Sequence, residues 1–118
     1  MTARLDLHTT TEGASTVVTA GGDIDLATAA AFRDHVLGEI DAEPMRLVLD
    51  LSAVGFIDST GIGVIVLARR KVRVRRGELH IVVSRRVRAA LRLAALEQAL
   101  NLHDTLADAL GDEADEPA

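Results

Sequence analysis

The run Asp58-Ser59-Thr60-Gly61 places a carboxylate, two hydroxyls and a glycine in succession. Such side chains suit a helix N-terminus, where the first backbone N–H groups have no partner inside the helix. One side chain suffices for a cap, so a row of three leaves polar groups over. Nucleophilic catalysis by Ser59 would need a base within reach, and no histidine stands at a recognisable spacing. The four histidines, His8, His35, His80 and His103, lack ligand spacing such as i, i+4 on a helix. They read as surface or strand-face residues. Gly61-Ile62-Gly63 is no phosphate loop, because no Lys-Ser/Thr pair follows it.

A second acidic group, Gly22-Asp23-Ile24-Asp25, admits two readings. In one, Asp25 caps the following helix and Asp23 is a polar loop residue. In the other, the Asp-x-Asp spacing resembles the nucleophile loop of aspartate-based phosphatases and transferases. Against that, Ala27 stands where Thr or Val is expected, and Gly21-Gly22 replaces the usual apolar lead-in.

Elements must position these groups. Arg4-Leu5-Asp6-Leu7-His8 alternates polar and apolar, as a half-buried strand does. Gly13 marks a turn, residues 16–20 read as a second strand, and Gly21-Gly22 ends it. An Ala-rich helix is predicted over residues 27–39, with Ala31, Val36, Leu37 and Ile40 on its apolar side. Pro44 breaks the chain, and residues 46–51 form a short strand of the fully buried type. The 55–63 segment connects that strand to a helix reaching about residue 75, which Gly77 ends. Residues 79–83 are another buried strand, and Ser84 caps a helix over 85–96. A weak strand at 99–102 and a short helix at 105–110 close the domain. The first two turns of the 59–75 helix are apolar nearly all round: Ile62, Val64, Ile65, Val66, Leu67 and Ala68. One stripe can pack on a sheet, so the rest predicts an exposed apolar docking surface beside the hydroxyls.

Bulk properties narrow the function classes. With 118 residues the chain is one domain, able to bury roughly two-thirds of its unfolded surface. Hydrophobic residues make up 48% and aromatics 2%, so Val, Ile, Leu and Ala build the core. The scarcity of aromatics argues against stacking single-stranded nucleic acid. The absence of cysteine excludes disulfides, thiolate metal sites and cysteine nucleophiles. The first eleven residues lack the apolar run of a secretory signal, and residues 62–68 are too short to span a bilayer. A soluble, cytoplasmic protein is expected, without membrane contact. The net charge of -5 hides an asymmetry: ten of the thirteen basic residues fall between residues 69 and 92, and six of the eighteen acids lie between 104 and 116. A basic belt could touch nucleic acid; a solvated helix face with an acidic tail is the plainer reading, and no nucleic-acid partner is expected.

Phe56-Ile57-Asp58-Ser59-Thr60-Gly61-Ile62-Gly63-Val64 resembles the signature of the STAS domain of bacterial anti-sigma factor antagonists. Gly22-Asp23-Ile24-Asp25 matches that family's Gly-acid-apolar-Asp loop after the second strand. Residues 69–77 resemble its basic helix end and glycine stop, and residues 87–110 its closing helix, strand and helix. The likeness covers about residues 3–110, with Ala94-Ala95-Leu96 standing where the family has a small-residue-Gly-Leu turn. It implies an α/β fold: a single STAS domain over residues 1–110, with a mixed sheet of four to five strands packed against about four helices. Residues 111–118 would be an acidic, disordered tail.

By the same resemblance the serine after the aspartate, Ser59, is the phosphorylation site. Asp23, Asp25, Asp58, Ser59, Thr60, Gly61, Ile62 and Gly63 would meet the partner. That partner is an anti-sigma factor with serine kinase activity, which carries the ATP; the chain itself needs no cofactor or metal and is not an enzyme. Unphosphorylated, it would bind the anti-sigma factor and free the sigma factor; a PP2C-type phosphatase would restore the binding form. Thr60 reads as a helix-start residue, with a second acceptor as the lesser alternative. Another function stays open: a stand-alone STAS module that senses a nucleotide or small ligand, or a stressosome-like scaffold.

Overall fold

The computed structural model describes residues 4–40 and 45–114. Five strands and four helices follow one another as β1 (Leu5–Glu12), β2 (Ser15–Ile24), α1 (Ala29–Gly38), β3 (Arg46–Ile57), α2 (Ser59–Val74), β4 (Glu78–Val83), α3 (Arg85–Leu93), β5 (Asn101–His103) and α4 (Leu106–Ala114). The strands lie in sequence order in one mixed sheet. β1 and β2 form an antiparallel hairpin, and every later neighbour is parallel. Gly13, at the first position of the two-residue hairpin loop, has φ 59°, a region glycine enters without a Cβ clash.

Alternation along the central strands explains why both sheet faces are covered. Leu47, Leu49 and Leu51 point into the larger core with Val18, Ala20, Ile81 and the inner faces of α1, α2 and α3. Val17, Val48 and Val82 point the other way, under Ala109, Leu106 and Leu110 of α4. A strand buried on both sides reads as a continuous apolar run, which is the pattern of 79–83 and 47–49. In α1 the buried residues are Phe32 and Val36, while Ala31, expected on the apolar side, is exposed.

Several boundaries move. The hairpin strands are longer than expected, and Gly21-Gly22 lies inside β2 instead of ending it. The pairing with β3 shifts register on either side of these glycines, as at a bulge, so the strand bends and continues. Gly22 has φ 119°, and a Cβ there would lie 2.6 Å from the Arg4 carbonyl oxygen. β3 runs on to Ile57, six residues past the expected end. Helix α1 starts at Ala29 instead of residue 27, α3 stops at Leu93 instead of 96, and α4 continues to Ala114, past the expected boundary at 110. Pro44 and residues 115–118 lie outside the described residues.

Two helix ends depart from the glycine rule. After α2 the left-handed residue is Arg76 (φ 60°), and Gly77 follows it, its N–H bonding the Val72 carbonyl at 2.9 Å. The glycine at 77 serves close approach instead: a Cβ would lie 2.5 Å from the Met45 carbonyl oxygen. After α3 the left-handed residue is Ala95 (φ 61°), with the Leu96 N–H on the Leu91 carbonyl at 2.9 Å. A left-handed turn thus forms at Ala95 without a glycine, at the steric cost of a Cβ in that region.

Ala95→Gly should relieve that cost, about 1–2 kcal/mol, less roughly 0.4–1 kcal/mol for the freer unfolded chain. Thermal unfolding should show a Tm higher by a few degrees; a lower Tm would contradict the strain.

Candidate functional site

β3 pairs with β4 only as far as Leu51↔Val83, whereas β2 and β3 stay paired up to Ile24↔Ile57. The two strands thus extend past the rest of the sheet and carry Asp23, Ile24, Phe56 and Ile57 with them. Asp58 follows directly, in an extended conformation, and its N–H donates to the Ile24 carbonyl at 3.1 Å. The chain then turns into α2.

Asp58 is the helix N-cap. Its Oδ1 accepts the Thr60 N–H at 2.9 Å, the Gly61 N–H at 3.4 Å and the Thr60 hydroxyl. The backbone of Leu26, in the loop after β2, also acts electrostatically on this carboxylate. The Thr60 hydroxyl, first among these donors, holds the Asp58 pKa below the ordinary 3.8; burial opposes it, and the amides of Gly61, Thr60 and Leu26 add to it. Asp58 is therefore ionised at neutral pH.

The close seat of the helix end comes from Gly61. A Cβ at this position would lie 2.5 Å from Ile24 Cγ2 and 2.7 Å from Ile57 Cγ1. Only glycine lets the first turn settle onto the two strand ends. Gly63 meets nothing within 4 Å and is exposed.

Ser59 is the first residue of α2. It is exposed, and its hydroxyl makes no hydrogen bond among the described residues. Thr60, its neighbour, is half-buried and spends its hydroxyl on Asp58. Of two adjacent hydroxyls, one belongs to the fold and one faces solvent.

Asp25 is committed to the chain in a different way. Its Oδ1 accepts the N–H groups of Ala27 (2.9 Å) and Thr28 (3.2 Å), while the Thr28 hydroxyl accepts the Asp25 N–H at 2.9 Å. This reciprocal pair holds the turn that leads into α1, whose N-cap residue is Thr28. Asp23 is exposed, with Oδ1 beside Gly55. The structure therefore gathers Asp23, Asp25, Asp58, Ser59, Thr60, Gly61, Ile62 and Gly63 at one end of the sheet. Ser59, Gly63 and Asp23 are open to solvent; Gly61 is buried; the other four are half-buried.

The expected apolar patch on α2 takes another form. Val64, Ile65 and Ala68 are buried, and Ile62, Val66 and Leu67 are half-buried. α1 packs beside α2 and takes up much of the surface that one sheet could not. The exposed apolar side chains near Ser59 are Leu26, 81% exposed, and Phe56, 49% exposed. Sequence reasoning missed both as contact residues. A leucine directly after a capping aspartate, and one of only two aromatics at a strand end, were the available signals.

The remaining candidates resolve as structural. His35 Nε2 lies 2.8 Å from the Thr9 hydroxyl, linking α1 to β1. His80 is buried on β4, bonded to His103 (3.0 Å) and Glu78 (3.0 Å). No group of acids and histidines among the described residues could hold a metal ion. No described helix is long and apolar enough to cross a membrane. Within the basic belt, Arg88 and Arg92 pair with Glu97, and Arg88 also with Asp104.

Two substitutions separate the roles of the glycines. Gly61→Val should cost about 1–3 kcal/mol by overpacking, whereas Gly63→Ala should gain roughly 0.5–1 kcal/mol of helix propensity. Chemical denaturation reads both; a harmless Gly61→Val would refute the close seat. Because the folded pKa of Asp58 lies below its unfolded value, its stabilisation is present above about pH 4 and is lost as pH falls through the folded value. Asp58→Asn should therefore flatten the fall of Tm between pH 5 and pH 2; an unchanged slope would contradict the carboxylate's role.

Residues 7–109 match the STAS domain family. Over 102 residues the chain is 39% identical to the anti-sigma-F factor antagonist RsfB of Mycobacterium tuberculosis, covering 80% of this chain and 77% of that protein. The crystal structure of an anti-sigma factor antagonist from Mycobacterium paratuberculosis superposes with a TM-score of 0.83 and 26% identity, covering 98% of this chain and 100% of that one. The Bacillus cell fate determinant SpoIIAA, solved in its phosphorylated form, superposes with a TM-score of 0.67 over 93% of this chain and 99% of that one. Its identity of 16% speaks to the fold alone. With most of its length matched and a relative this similar, the chain belongs to the STAS domain family.

Proposed function

We propose that this chain is an anti-sigma factor antagonist whose unphosphorylated form docks through the start of α2 and whose docking ends when Ser59 is phosphorylated. The Mycobacterium relatives carry the antagonist name, and a Bacillus protein of the same fold exists in a phosphorylated form. The observation that carries the reading is local. Ser59 has an exposed hydroxyl with no hydrogen bond among the described residues, on a turn whose nearby donors are engaged by Asp58.

The electrostatics follow from that arrangement. A phosphate adds close to two negative charges. A helix N-terminus ordinarily welcomes an anion. Here the Thr60 and Gly61 amides and the Thr60 hydroxyl already serve an ionised carboxylate one residue away. The new charge would face Asp58, with Asp23 and Asp25 nearby, and would gain little within the chain. It would point outward, where a partner must strip its water or meet it with like charge, at a cost of several kcal/mol. The switch changes the surface and leaves the fold alone.

In this reading the kinase is the anti-sigma factor itself, which supplies ATP, and a PP2C-type phosphatase resets the serine. Asp23, Gly63, Leu26 and Phe56 form the rest of the contact. The chain works in the cytoplasm, as a regulator and not as an enzyme.

Calorimetric titration against the organism's anti-sigma factors, purified and tested in turn, examines this directly. Ser59→Ala should bind within a few-fold of the unaltered chain. Ser59→Asp and the phosphorylated chain should bind about a hundredfold more weakly, since roughly 1.4 kcal/mol corresponds to tenfold. Equal affinities for Ser59→Ala and the phosphorylated form would reject the mechanism.

A further inference from the structure

Beyond Leu51, β3 has no strand beside it on the side where β4 ends. α3 runs past this open edge, and the Ser84 hydroxyl donates to the Val54 carbonyl at 2.7 Å where the two first meet. Farther along, residues 55–57 and α3 separate into a groove of about 260 Å³, with Arg86, Ala90 and Leu93 on the helix wall. Leu93 is 90% exposed and Phe56 49% exposed, so two large apolar side chains share one cleft. Scattered surface leucines need no explanation, but a paired and concave arrangement is a different matter.

The charges on α3 divide in a telling way. Arg88 and Arg92 are ion-paired to Glu97 within the chain. Arg85 and Arg86 have no ion pair or hydrogen bond among the described residues. They occupy the first turn of α3, the positive end of the helix dipole, where acidic side chains are favoured and cations are not. Arg86 borders both the apolar groove and a second cleft that Arg85 shares with Ser52 and Ser84.

We infer that this groove is a second anchor point for the anti-sigma factor, taking an extended acidic segment of that partner with one large apolar side chain. The inference rests on the antagonist reading above. A cleft of 260 Å³ is small for a cofactor-sized ligand, which occupies roughly 300–1,000 Å³, and suits one aliphatic or aromatic side chain. The open strand edge at residues 55–57 can hydrogen-bond an extended main chain. Unpaired Arg85 and Arg86, at one end of the groove, can meet carboxylates that flank the anchor. Phe56 and Ile57 lead directly to Asp58 and Ser59, so the groove continues the surface around the serine. A partner held at both places would be selected by its own sequence as well as by the state of Ser59.

The test titrates the purified anti-sigma factors with the full chain and with Arg86→Glu, Leu93→Asp and Val74→Asp. Val74 is 78% exposed at the far end of α2 and serves as the control. All three positions are exposed, so Tm should stay within about 2 °C of the unaltered chain. Arg86→Glu and Leu93→Asp should each weaken binding at least about tenfold, with Val74→Asp unchanged. Unchanged affinity in both groove variants, while Ser59→Asp still weakens binding, would overturn the groove and leave the antagonist reading standing. Failure of the unaltered chain to bind any anti-sigma factor would overturn both. A Leu93-dependent dimer in sedimentation without partner would show that a second copy fills the groove, and would also overturn it.

Discussion

One carboxylate organises the end of the molecule where the partner is proposed to dock. Asp58 follows the end of β3, caps α2 with its side chain and donates its N–H to the Ile24 carbonyl, so two strand ends and a helix start meet at one residue. The unsatisfied donors of a helix start are a physical necessity, and a short acidic side chain in extended conformation meets them well. Gly61 is the steric counterpart, since the first turn reaches its place only because no Cβ stands between it and Ile24 and Ile57. Ser59, the first helical residue, lies exposed beside them.

This arrangement explains how a small, rigid domain could act as a switch without a mobile element. The central strands are buried on both faces, and α2 packs on the sheet beside α1. A core of that kind does not deform gradually. A regulatory signal that spared the interior and altered only surface charge would be the economical solution, and a phosphate beside an ionised aspartate does that. The basic half of α2 lies at the opposite end of the helix, where cations complement the dipole, so it offers the phosphate no counter-charge.

Much of this was legible in the sequence. Strand and helix order followed from apolar periodicity, and the Asp58-Ser59-Thr60-Gly61 run announced a cap with a surplus hydroxyl. Residue types alone did not tell which hydroxyl was surplus, because Ser and Thr both suit a helix start; family resemblance pointed to Ser59, and the Thr60 bond to Asp58 gives the physical difference. The glycines misled in two opposite ways. Gly21-Gly22 reads as a strand end, yet a bulged strand tolerates it, and that extension carries Asp23 to the site. Gly77 reads as a left-handed helix stop, yet Arg76 takes that conformation and the glycine answers to Met45 instead. Leu26, Phe56 and Leu93 escaped notice because exposure of a single apolar residue is a tertiary property, set by which neighbours fail to arrive.

The assignment of roles at the α2 terminus is tested most directly by phosphosite mapping. The unaltered chain would be incubated with its cognate anti-sigma factor and ATP, then digested and sequenced by mass spectrometry. The account predicts a single phosphate, on Ser59, and none on the Asp58-bound Thr60. A phosphate on Thr60, or no phosphate on the chain at all, would contradict it.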